Sequence, residues 1–61
     1  MPNFNMALYL IDRLNIHHTY KAEDGFWIID TEDVQFWFNY DDGSYYGTIT
    51  KIPELEDMLY V

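Results

Sequence analysis

Two runs rich in aromatic and β-branched residues, Phe26-Trp27-Ile28-Ile29-Asp30 and Val34-Gln35-Phe36-Trp37-Phe38-Asn39-Tyr40, are separated only by Thr31-Glu32-Asp33. That connection is too short for the crossover that parallel strands need, so the two runs predict an antiparallel hairpin. Asp41-Asp42-Gly43-Ser44 follows directly and has the chemistry of a second turn, with Gly43 suited to positive φ and the Asp side chains able to accept from nearby backbone N–H groups. The chain then returns as Tyr45-Tyr46-Gly47-Thr48-Ile49-Thr50, which extends the hairpin to a meander of three strands. A fourth is expected upstream, where Ile16, His18, Tyr20 and Ala22 fall on one side of a weak strand ended by Glu23-Asp24-Gly25.

Helical spacing appears on both sides of these strands. Between Phe4 and Leu14, the residues Phe4, Ala7, Leu10, Ile11 and Leu14 form one apolar stripe, with Asn3 or Asn5 as N-cap and Asn15 as the exit residue. At the other end, Pro53 suits a first helical position, and Glu54, Glu56 and Asp57 favour the positive helix start, which predicts a short C-terminal helix. The expected fold is α+β: an N-terminal helix packed on a three- or four-stranded antiparallel meander, with a short second helix. It forms one domain, because 61 residues leave no room for a second core.

Matching apolar positions across the hairpins suggests a register. With Asp30 opposite Val34, Ile28 faces Phe36 and Phe26 faces Phe38; with Tyr40 opposite Tyr45, Phe38 faces Gly47, which leaves room for its ring. The same register places Trp27, Trp37 and Tyr46 on the opposite face as a candidate binding surface, since Trp and Tyr dominate interface hot spots.

Eleven acidic residues against three basic ones give a net charge of −8, yet a fifth of the chain is aromatic, which separates it from disordered acidic tails. The carboxylates gather at the expected turns: Glu23 and Asp24 with Asp41 and Asp42 at one end of the meander, Asp30, Glu32 and Asp33 at the other, where Glu54, Glu56 and Asp57 return. Direct nucleic-acid binding is disfavoured, because phosphate contacts need Lys and Arg and the chain offers only Arg13, Lys21 and Lys51. Membrane association is disfavoured by the same charge and by the absence of a spanning apolar stretch. With no Cys, no disulfide or thiolate metal site is available; with no basic, apolar leader, a cytoplasmic location is expected, the host cytoplasm if the chain is phage-encoded.

No residue pattern points to catalysis. His17 and His18 are adjacent and would point to opposite sides of a strand, neither Asp-rich run fits a calcium loop, and Ser44 is explained by its turn. The expectation is a non-enzymatic protein with no metal or cofactor that binds a basic protein surface, its two anionic poles standing in for phosphate charge. In size, charge and style it resembles the small acidic inhibitors that phages and mobile elements direct at host nucleases, glycosylases, restriction enzymes or CRISPR effectors. That resemblance implies a DNA-mimic type of inhibitor. The rival reading is a homodimeric structural or regulatory module whose aromatic face is the subunit contact.

Overall fold

A helix, α1 (Phe4–Arg13), is followed by four strands, β1 (His18–Glu23), β2 (Phe26–Thr31), β3 (Val34–Asn39) and β4 (Tyr45–Thr50), in the computed structural model, which describes residues 2–52. The strands form one antiparallel sheet in the order β1-β2-β3-β4, so every neighbour in space is a neighbour in sequence. The α+β architecture with a four-stranded meander is therefore present. The expected C-terminal helix and its carboxylates Glu54, Glu56 and Asp57 lie outside the described residues.

Asn3 begins α1 by accepting the Met6 N–H at its side-chain oxygen, 3.0 Å away, which satisfies one of the donors left open at a helix start. Asn15 leaves the helix at φ 57°, the left-handed conformation that Asn tolerates. Phe4, Ala7 and Ile11 press onto Ile29 and Phe38 of the sheet, with Leu8, Trp27, Phe36 and Tyr45 packed around them. The expected stripe is thus displaced around the helix: Leu10 and Leu14 are 45 % and 68 % exposed, and Leu8 takes part in the core instead. An i, i+3, i+4 pattern identifies a helical face, but Leu8 and Leu10 both border it, and packing on the sheet selects Leu8.

The β2–β3 register differs from the expected one by a single residue, and the consequence is large. Asp30 pairs with Gln35, Ile28 with Trp37 and Trp27 with Phe38. Thr31 is the cause. Its buried hydroxyl accepts the N–H groups of Asp33 and Val34 at 3.3 and 3.0 Å and donates to the Val34 carbonyl at 3.0 Å, drawing Thr31 and Val34 opposite each other. The turn then contains two residues, Glu32 and Asp33, rather than three. Because side chains alternate along a strand, the one-residue shift exchanges the faces of β2: Trp27 and Ile29 lie under the helix, while Phe26 and Ile28 lie on the other side.

A bulge in β4 makes the second correction. Phe38 pairs with Tyr45, whereas Trp37 pairs with Gly47, so Tyr46 is the extra residue between them. Gly47 consequently does not lie over Phe38, and a Cβ built on it meets no atom within 4 Å. Gly47→Val is therefore expected to leave the fold intact and to raise stability by up to about 1 kcal/mol through strand propensity, as read from urea unfolding. A marked loss of stability would mean that the bulge needs glycine.

Candidate functional site

Hairpin topology decides where the carboxylates go. The β1–β2 turn is a two-residue turn in which Asp24 and Gly25 have φ of 51° and 86°, the Asp-Gly chemistry that such tight hairpins require. The β3–β4 turn is longer and is closed by Asn39, whose backbone N–H donates to the Ser44 carbonyl at 2.7 Å and whose carbonyl accepts from Gly43 at 2.8 Å. Within it the Ser44 N–H donates to Asp42 Oδ1 at 2.9 Å, and Gly43 takes φ 73°.

These two tips are tied together rather than merely adjacent. The Tyr40 N–H donates to the Gly25 carbonyl at 3.0 Å, and the Phe4 N–H donates to the Gly43 carbonyl at 2.8 Å, joining both turns and the helix start at one end of the molecule. Glu23, Asp24, Asp41 and Asp42 all belong to this end. Midpoints of the two hairpins are separated by two strand spacings, roughly 10 Å. Asp30, Glu32 and Asp33 lie at the opposite end, where the Lys51 N–H donates to the Asp33 carbonyl at 2.8 Å.

The few cations are already engaged. Lys21 pairs with Glu23 at 2.8 Å on exposed surface, and Lys51 bonds both the Asp30 carboxylate and, at 2.7 Å, the Thr31 carbonyl. Arg13 reaches the Tyr9 hydroxyl at 3.2 Å and lies 5.7 Å from that ring's centre. Asp30 and Glu23 are thus partly neutralised, whereas Asp24, Glu32, Asp33, Asp41 and Asp42 have no ion-pair partner among the described residues.

The ionisation of two carboxylates is set by these contacts. Hydrogen bonding from Lys51 holds Asp30 below the ordinary carboxylate pKa, and hydrogen bonding from Ser44 does the same for Asp42; Glu23 raises Lys21 above its usual value. A depressed folded-state pKa favours the native state above the unfolded-state pKa, and this contribution disappears as pH falls through the folded-state value. Urea midpoints are therefore expected to fall as pH drops below about 4, the unfolded carboxylate range, and to fall less steeply in Asp42→Asn. An identical pH profile for that variant would show that the Ser44 contact does not favour the charged form.

The three aromatic residues expected on one binding face do not stay together. Trp27 stacks on both Phe4 (ring centres 4.6 Å apart, planes 14° apart) and Tyr40 (5.2 Å, 21°) on the helix side. Trp37 and Tyr46 do share the other face, joined there by Phe26, whose ring centre is 5.2 Å from Trp37 and 4.6 Å from Tyr46. The Trp37 indole N–H donates to Gln35 at 3.3 Å, and Ile49 and Tyr46 remain largely exposed. Phe26 and Ile49 were not expected in this patch. Phe26 comes to this face through the β2–β3 register shift, and Ile49 through the β3–β4 register, in which it pairs with Gln35 rather than Phe36.

Among the described residues no group of three or more His, Asp or Glu side chains is placed to hold a metal ion. No helix in that range is long and apolar enough to cross a membrane. Comparison with protein families, curated proteins and solved structures finds no match to this chain.

Proposed function

We propose that this protein is a non-enzymatic binding protein that occupies the basic, nucleic-acid-binding surface of another protein, in the manner of a DNA-mimic inhibitor of a host enzyme or defence effector. The observation that carries this reading is the bridged pair of hairpin tips, which holds Asp24, Asp41 and Asp42 at one end of the sheet with no ion-pair partner among the described residues. Fixed charge is pre-organised for a partner, because fewer degrees of freedom are lost on binding than with a flexible acidic tail. A second anionic group, Glu32 and Asp33, lies a strand length away, so a groove lined by Lys and Arg can engage both.

The test is competition and salt dependence on a purified nucleic-acid-binding target. Double-stranded DNA is expected to compete with the protein for the target, and raising salt to slow association by about tenfold or more while changing dissociation less. Replacing Asp24, Asp41 and Asp42 by Asn is expected to reproduce the slow association at low salt with the fold retained, since Asn keeps the turn chemistry. Salt-insensitive association, or simultaneous binding of DNA and protein, would refute the reading.

A homodimeric module is the second reading, and the face away from α1 favours it. Phe26, Trp37, Tyr46 and Ile49 lie there with no element of the described residues packed over them. Light scattering separates the two: a stable dimer at micromolar concentration that dissociates on Trp37→Ala assigns this face to self-association, and a monomer removes that role.

A further inference from the structure

The acidic turn between β3 and β4 borders a cleft of about 320 Å³ whose other wall is the aromatic stack of the helix side. Phe4 and Tyr40 both stack on Trp27, with ring centres 4.6 and 5.2 Å from its own, and Asp41 and Asp42, which follow Tyr40 directly in the chain, line the same cleft. Tyr40 stacks on Trp27 yet is 52 % exposed, and it lines the cleft together with Asp41 and Asp42. Its position is held from the backbone as well, through the bond from its N–H to Gly25.

From this geometry we infer that the cleft is the anchor site for one arginine side chain of the partner. A guanidinium is planar and weakly hydrated, so it can stack on the exposed ring of Tyr40 while its N–H groups donate to the carboxylates that share the cleft. Asp42 Oδ1 accepts the Ser44 N–H, and neither Asp41 nor Asp42 has an ion-pair partner among the described residues. The chain's own cations are engaged elsewhere: Lys21 on Glu23, Lys51 on Asp30 and Arg13 on Tyr9. A lysine ammonium matches less well, being a compact, strongly hydrated charge without a stacking plane. The inference rests on the proposed reading that the partner is basic, and adds the residue type that seats in this cleft.

The experiment uses short capped peptides, Gly-Arg-Gly with its lysine and citrulline counterparts, titrated into the intact protein and followed by amide and indole NMR shifts. The arginine peptide is expected to give saturable shifts centred on the Trp27 indole and residues 40–43, with roughly tenfold weaker binding for lysine and none for citrulline, which keeps the shape but not the charge. Tyr40→Leu and the double variant Asp41→Asn, Asp42→Asn are each expected to weaken arginine binding at least about tenfold. The second variant retains the turn chemistry and decides the matter should the first fail to fold. Shifts spread over all the acidic residues, equal binding of lysine, or absence of saturation would overturn the inference. If target association is salt-sensitive and competed by DNA while the peptide ignores the cleft, the anchor fails and the basic-partner reading stands; arginine seated in the cleft with no such target behaviour reverses that outcome.

Discussion

Phe38→Ala is expected to cost about 3–5 kcal/mol, the range for removing a large buried aromatic ring. Phe38 is 0 % exposed and lies where the helix meets the sheet, edge-on to Phe4 at 5.8 Å and to Tyr45 at 6.0 Å. At about 0.05–0.15 kcal/mol per residue, a domain of this length has roughly 3–9 kcal/mol in total, so the loss approaches the whole stability. Urea unfolding followed by circular dichroism should show a transition near zero denaturant, or none. An unshifted midpoint would mean that the helix does not bear on this ring.

Trp37→Ala is expected to have the opposite profile, retaining the fold while weakening the complex by more than about 2 kcal/mol, or roughly 30-fold in Kd. The difference follows from position. Trp37 lies on the face away from α1, pairs across the ladder with Gly47 and spends its indole N–H on Gln35, so its removal exposes the neighbouring Phe26 without opening the core beneath the helix. Trp27→Ala serves as the internal comparison: its ring supports Phe4 and Tyr40, and its loss should lower stability rather than affinity alone. Calorimetric binding with a purified target, beside unfolding curves for both variants, checks the pair. Wild-type affinity in Trp37→Ala would exclude the face away from α1 from the contact.

The corrected place of Trp27 shows where sequence pattern reaches its limit. In β2 both parities are apolar, Phe26 and Ile28 on one and Trp27 and Ile29 on the other, so alternation carries no instruction about which side faces the helix. Both Ile28 and Ile29 are in fact buried, on opposite faces. In β3 the pattern is more informative, and Phe36 and Phe38 lie on the core side as their spacing implied. The acidic tips were legible for a different reason, since Asp-Gly and Asp-Asp-Gly-Ser carry turn chemistry in the residues themselves.

The arginine cleft had no comparable signal. Its parts come from the helix start, from β2 and from the β3–β4 turn, and nothing in the spacing of Phe4, Trp27 and Tyr40 announces a stack. It exists because two backbone hydrogen bonds, Phe4 N–H to Gly43 and Tyr40 N–H to Gly25, bring three segments to one corner.

Local chemistry in the sequence determined the existence, type and order of the described elements, the hairpin connections and the anionic character of the turns, because each depends on residues close together in the chain. Tertiary structure alone decided which face each β2 side chain occupies, that Gly47 lies opposite Trp37, and that Trp27 joins Asp41 and Asp42 around one cleft. The physical reason is the two-residue period of a strand: one hydroxyl, that of Thr31, shortens a turn by a residue and thereby exchanges the two sides of β2.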